Sequence, residues 1–157
     1  MTKRIDTAAR LINAPASRVY QAFASPGAME RWLPPAGMTG SMLDFDFREG
    51  GSYRMRLTYN GPAHGPGKTS DDADEVAVRL IKLVRDRRIE QRVTFESGDP
   101  AFSGEMRVTW SLDPVEGGTL VSVRCEDVPP GITAADHEAG LTSTLRNLTA
   151  YVETPRV

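Results

Sequence analysis

The chain has few side chains suited to catalysis, and they are scattered. His64 and His137 are its two histidines and Cys125 its one cysteine. A transition-metal site needs ligands at short, regular spacing, such as His-x-x-x-His or paired cysteines. Neither pattern occurs. Asp71, Asp72, Asp74 and Glu75 cluster, but without the ligand spacing and central glycine of a calcium loop. They are expected to form a solvated acidic loop. No metal and no cofactor is implied.

Cys125 ends the alternating run Thr119, Val121, Val123, Cys125. That position suits a small buried thiol better than a nucleophile. A lone cysteine forms no intramolecular disulfide, which fits a reducing compartment. Glu96 and Glu105 lie near strand ends, where two carboxylates could share acid and base work. Nothing in the spacing fixes their separation. These residues point to binding ahead of catalysis.

Polar groups on apolar faces are more informative. Gln91 alternates with Ile89, Val93 and Phe95, and Tyr53 and Tyr59 carry hydroxyls on the same kind of face. Such groups either find partners within the core or serve a ligand. His137 lies one turn before Leu141 on the apolar stripe of the last helix. It is either a hydrogen-bond partner or proton donor at a cavity mouth, or a partly exposed residue of the first turn. The bulky candidates for cavity walls are Trp32, Met38, Phe45, Phe47, Met55, Phe95, Met106 and Trp110. Leu141 and Leu145 face them from the helix. Methionine suits surfaces that adapt to several ligands; the alternative is that these side chains fill the core.

Period decides which elements hold them. Met42, Leu43, Phe45 and Phe47 precede Gly50-Gly51, and Tyr53, Met55, Leu57 and Tyr59 follow it, interleaved with charges. A period of two gives one apolar and one polar face, and paired glycines supply the positive φ of a hairpin. Ile5 to Ile12 is expected as a first strand. Pro15 opens a short helix, and Ser25-Pro26 caps a second that Pro34-Pro35 ends. A loop without periodicity runs from Asn60 to Asp74. Four strands follow, near Val76–Val84, Ile89–Phe95, Glu105–Leu112 and Thr119–Cys125. Thr133 to Asp136 resembles a capping box. His137, Leu141, Leu145, Leu148 and Val152 then form one face of a long helix.

The order strand, two short helices, six strands, long helix predicts an α+β fold. A curved antiparallel sheet of about seven strands wraps a long C-terminal helix, in one domain over residues 1–157. Such a grip leaves room for a ligand between sheet and helix. Apolar content of 39% and charge of 25% are ordinary for a globular chain. With 19 basic and 21 acidic residues, net charge −2, there is no basic excess to hold nucleic acid. No apolar run reaches membrane length, so a cytoplasmic protein without membrane insertion is expected.

Ala14-Pro15, Arg31-Trp32-Leu33-Pro34-Pro35, the hairpin Asp46-Phe-Arg-Glu-Gly-Gly-Ser-Tyr53, and Gly140-Leu141 occur in an order that resembles a known group. It is the START-like or SRPBCC superfamily, whose helix-grip fold is shared with the birch-pollen allergen. Within it, the chain looks most like bacterial relatives of the activator of the ninety-kilodalton heat-shock chaperone's ATPase. The resemblance runs from Thr7 to Glu153. It implies a helix-grip fold, but not an activity. Superfamily members include lipid and steroid carriers, polyketide cyclases and co-chaperones. The expected partner is a small hydrophobic molecule, such as a lipid, polyketide or aromatic metabolite. The alternatives are a chaperone or other protein partner, or a cyclase/aromatase-like enzyme. The protein is expected as a monomer or a homodimer.

Overall fold

Alternation becomes seven strands, and the helical stripes become three helices. The computed structural model describes residues 4–35, 37–59, 73–95, 100–102 and 104–153. His64, Asp71, Asp72, Glu96 and most of the 60–74 loop lie outside them. The order is β1 (Ile5–Ile12), α1 (Ala16–Phe23), α2 (Pro26–Trp32), β2 (Met38–Phe45), β3 (Ser52–Tyr59), β4 (Ala73–Val84), β5 (Arg88–Phe95), β6 (Met106–Val115), β7 (Gly118–Glu126) and α3 (Ala134–Glu153). A short 3₁₀ turn, Pro100–Phe102, lies between β5 and β6.

All strands pair antiparallel in one open, curved sheet of order β1-β7-β6-β5-β4-β3-β2. The crossing from β1 to β2 passes through α1 and α2, which places both helices with α3 on the inner face. This is the α+β helix-grip arrangement expected from the sequence.

Local chemistry sets the helix boundaries. Ser25 Oγ accepts from the Ala28 backbone N–H at 3.3 Å, with Pro26 at the first helical position. Thr133 Oγ1 likewise accepts from Asp136 N–H at 3.1 Å and starts α3. Each cap satisfies a donor that the first turn leaves free.

Two features of the hairpin depart from the expected pattern. The register shifts between Met42 and Asp44, so Leu43 is an extra residue in β2. That bulge turns Leu43 outward and lets Met42 and Phe45, three apart, share the inner face. The connection also spans Asp46 to Gly51, and of its two glycines Gly50 alone has a positive φ, of 82°. Gly51 is needed for space: a Cβ there would collide with the Asp46 carbonyl. The β6–β7 turn is tighter than expected, with Val115 opposite Gly118.

Asp74 and Glu75 also need correction. They belong to β4 rather than to a solvated loop. Asp74 keeps the inward parity of Val76, Val78 and Leu80 and is only 3% exposed.

Candidate functional site

The inner face divides into two regions. Toward the β2–β3 turn, aromatic side chains fill it. Trp32 and Trp110 meet edge to face at 5.8 Å, and Phe23 touches both, at 4.7 and 5.1 Å. The Trp32 indole N–H, fully buried, donates to the Ala22 carbonyl at 2.8 Å. Met55, Leu145, Leu148 and Val152 complete this block, all buried. Phe45 stacks on Phe47 at 6.2 Å, and Phe47 meets Tyr20 of α1 edge-on at 5.7 Å. Trp32, Met55, Trp110 and Leu145 therefore sit where the interior is packed, with Phe45, Phe47 and Tyr20 half-buried at its edge.

Tyr53 and Gln91 form a buried polar pair joined by a hydrogen bond. Burial pushes the Tyr53 phenol well above its ordinary range, with the Gln91 hydrogen bond opposing. Each supplies the other's partner, which lowers the cost of burying either.

The opposite end of the sheet is looser. Met38, Leu57, Tyr59, Asp74 and Phe95 share its inner face by register, with Met38 opposite Tyr59 and Leu57 opposite Asp74. Met38, Leu57, Tyr59 and Phe95 are only half-buried, whereas Met106 on β6 is buried. The Tyr59 hydroxyl lies 3.4 Å from Asp74 Oδ2. Burial first, then the Asp74 charge, raises the Tyr59 pKa.

The N-terminal half of α3 belongs to this end. Every buried α3 residue lies from Thr144 onward. Leu141 and His137, on the inner stripe, are half-buried. The second half is anchored instead. Thr144 Oγ1 donates to the Leu33 carbonyl at 3.1 Å, and Asn147 Nδ2 to the Pro34 carbonyl at 2.8 Å. The first half is held at its edge, where His137 Nδ1 lies 2.6 Å from Asp6 Oδ2. Arg4 approaches the same carboxylate oxygen at 3.1 Å, without hydrogen-bond geometry. His137 thus meets a β1 carboxylate.

Cys125 stands opposite Asp6 in the β1–β7 register. Burial, with a smaller contribution from Asp6, pushes its thiol up to about 12. The thiolate is the reactive form, so at neutral pH this cysteine is an inert core residue. Among the described residues no group of three His, Cys, Asp or Glu is placed to hold a metal.

Asp6 and Asp74 were missed in the sequence. Both were legible by parity, since each continues the inward-facing positions of its strand.

These features define a class: an α+β helix-grip protein of the START-like, SRPBCC superfamily. Residues 13–153 match the Activator of Hsp90 ATPase homolog 1-like protein family, and the chain belongs to that family. No functionally curated protein matches it. Among solved structures it is similar to a Chromobacterium violaceum protein at 30% identity and TM-score 0.84, covering 96% of this chain and 98% of that one. A Rhodobacter sphaeroides protein shares the fold at 20% identity and TM-score 0.75, covering 96% and 93%. DynU16, from the dynemicin biosynthetic locus, shares it at 21% identity and TM-score 0.70, covering 96% of this chain and 47% of that one. Among the described residues no helix is long and apolar enough to cross a membrane.

Proposed function

We propose that the protein binds a small hydrophobic molecule, such as a lipid, polyketide or aromatic metabolite, between the sheet and the first half of α3. The supporting observation is the contrast along α3: buried residues begin only at Thr144. Before that point Leu141 is half-buried, as are Met38, Leu57, Tyr59 and Phe95 at the same end of the sheet. Apolar surface left half-covered beneath a helix gains most from a ligand that removes it from water. Met38 and Phe95 supply adaptable and aromatic contacts. Tyr59 and Asp74 supply the polar groups that orient a ligand.

Native mass spectrometry with a fatty acid and a polycyclic aromatic tests this reading. One bound molecule per chain is expected, weakened roughly tenfold in a Leu141→Trp variant that fills the space. Absence of binding, or binding unchanged by Leu141→Trp, would overturn it.

A second reading is a protein-interaction module acting on a chaperone ATPase. The family match over residues 13–153 favours it. The cognate chaperone's ATPase rate should then change on adding this protein, and an unchanged rate would remove the reading.

A further inference from the structure

The helices cover one face of the sheet, and among the described residues none of them packs on the other. On the outer face, Ser52, Ala77 and Thr94 line a shallow cleft of about 260 Å³ together with Arg54, Arg79, Arg92 and Glu105. Arg79 stands directly opposite Arg92, and Arg92 directly opposite Arg107. Like charges placed opposite one another weaken a sheet unless something neutralises them.

Among the described residues, carboxylates are fewer than the arginines they serve. Glu105 serves both Arg79, at 3.0 Å, and Arg92, at 4.0 Å. Glu75 serves both Arg54, at 3.8 Å, and Arg56, at 3.4 Å, while Asp44 takes Arg54 at 3.2 Å. Arg107 makes no ion pair among the described residues. Its neighbour Glu126 is held by Arg124 at 3.2 Å. Across the described strands, Arg54, Arg56, Arg79, Lys82, Arg88, Arg92, Arg107 and Arg124 on this face outnumber Asp44, Glu75, Glu90, Glu105, Asp113 and Glu126, in a chain of net charge −2. Placement, not composition, makes this face positive.

The geometry points to a docking surface for an acidic, extended segment of a partner protein. Strands lie about 4.8 Å apart, so Arg79, Arg92 and Arg107 form a line of roughly 10 Å, the reach of about three extended residues. Small side chains at Ser52, Ala77 and Thr94 leave room for carboxylates to approach the guanidiniums, whose fork suits them. The interspersed Glu75 and Glu105 disfavour a continuous phosphate backbone, which cannot skip them. This surface is independent of the ligand site beneath α3, and neither reading depends on the other.

A dye-labelled eight-residue peptide of alternating Glu and Ser, followed by fluorescence anisotropy, tests it. Binding is expected at about 25 mM salt and should fall at about 200 mM, where screening shortens. Arg79→Gln with Arg92→Gln should weaken it roughly tenfold. Arg31→Gln with Arg146→Gln removes the same charge from the helices and should leave it unchanged. Arg107→Gln, which breaks no ion pair, should also weaken binding, and guards against a folding defect in the double variant. The proposal is overturned if wild type does not bind, if both double variants lose equally, or if oligothymidylate of the same length binds more tightly.

Discussion

His137 and Asp6 meet across 131 positions of sequence, Nδ1 to Oδ2 at 2.6 Å. This contact ties the start of α3 to β1, in the half of the helix that has no fully buried residue. It substitutes for packing where packing is thin.

His137→Ala should therefore cost about 1–2 kcal/mol, the range for removing one partner of a part-buried hydrogen bond. The loss should be local. Amide exchange should speed up over 134–141 and stay slow over 144–152, where Thr144 and Asn147 hold the helix to the α2 end. Uniform acceleration along α3 would contradict the local account.

The two regions of the inner face should respond differently to truncation. Trp110→Ala opens a cavity among Trp32 and Phe23 and should cost about 3–5 kcal/mol. Leu141→Ala, at a half-buried position, should cost about 1 kcal/mol or less yet weaken hydrophobic-ligand binding. Urea unfolding and ligand titration on both variants check the contrast.

Gly40 faces the end of α2. A Cβ there would stand 2.7 Å from Pro34 Cγ and 3.1 Å from Met55 Sδ. The proline ring is rigid and its carbonyl accepts from Asn147. Gly40→Ala should then destabilise by about 1–3 kcal/mol through overpacking. A melting temperature equal to wild type would show that Pro34 yields freely.

Much of this was legible in the sequence, for a physical reason. Period two and capping chemistry are local, so the strands, the Ser25 and Thr133 caps and the inward stripe of α3 follow from neighbours along the chain. The bulge at Leu43 was not legible, because an extra residue is defined by the partner strand. The split of the inner face was hidden too. Trp110 and Phe95 give the same alternating signal whether they fill a core or border a looser region. Asp74 reads as one of an acidic cluster along the chain, and only its parity with Val76 and Val78 points inward. The arginine row and the His137–Asp6 contact need register and helix placement, which no local pattern carries.

Alkaline pH should unfold the protein through its buried acids. Cys125 has an ordinary value of 9.0 and is pushed up to about 12 by burial; Tyr53 is also raised, from 10.0. Between the unfolded and folded values the native state holds protons that the unfolded state releases. Stability therefore falls as pH rises through this window, and the contribution is fully present below it. The loss from Cys125 begins near pH 9 and that from Tyr53 near 10, each approaching about 1.4 kcal/mol per pH unit within its window. Urea unfolding at pH 8, 9.5 and 10.5 should show a decline that steepens above 10. In Cys125→Ala the part between 9 and 10 should flatten, and above 10 a decline should remain with a shallower slope than in wild type. A Cys125→Ala profile parallel to wild type throughout would exclude the thiol as a source of alkaline sensitivity.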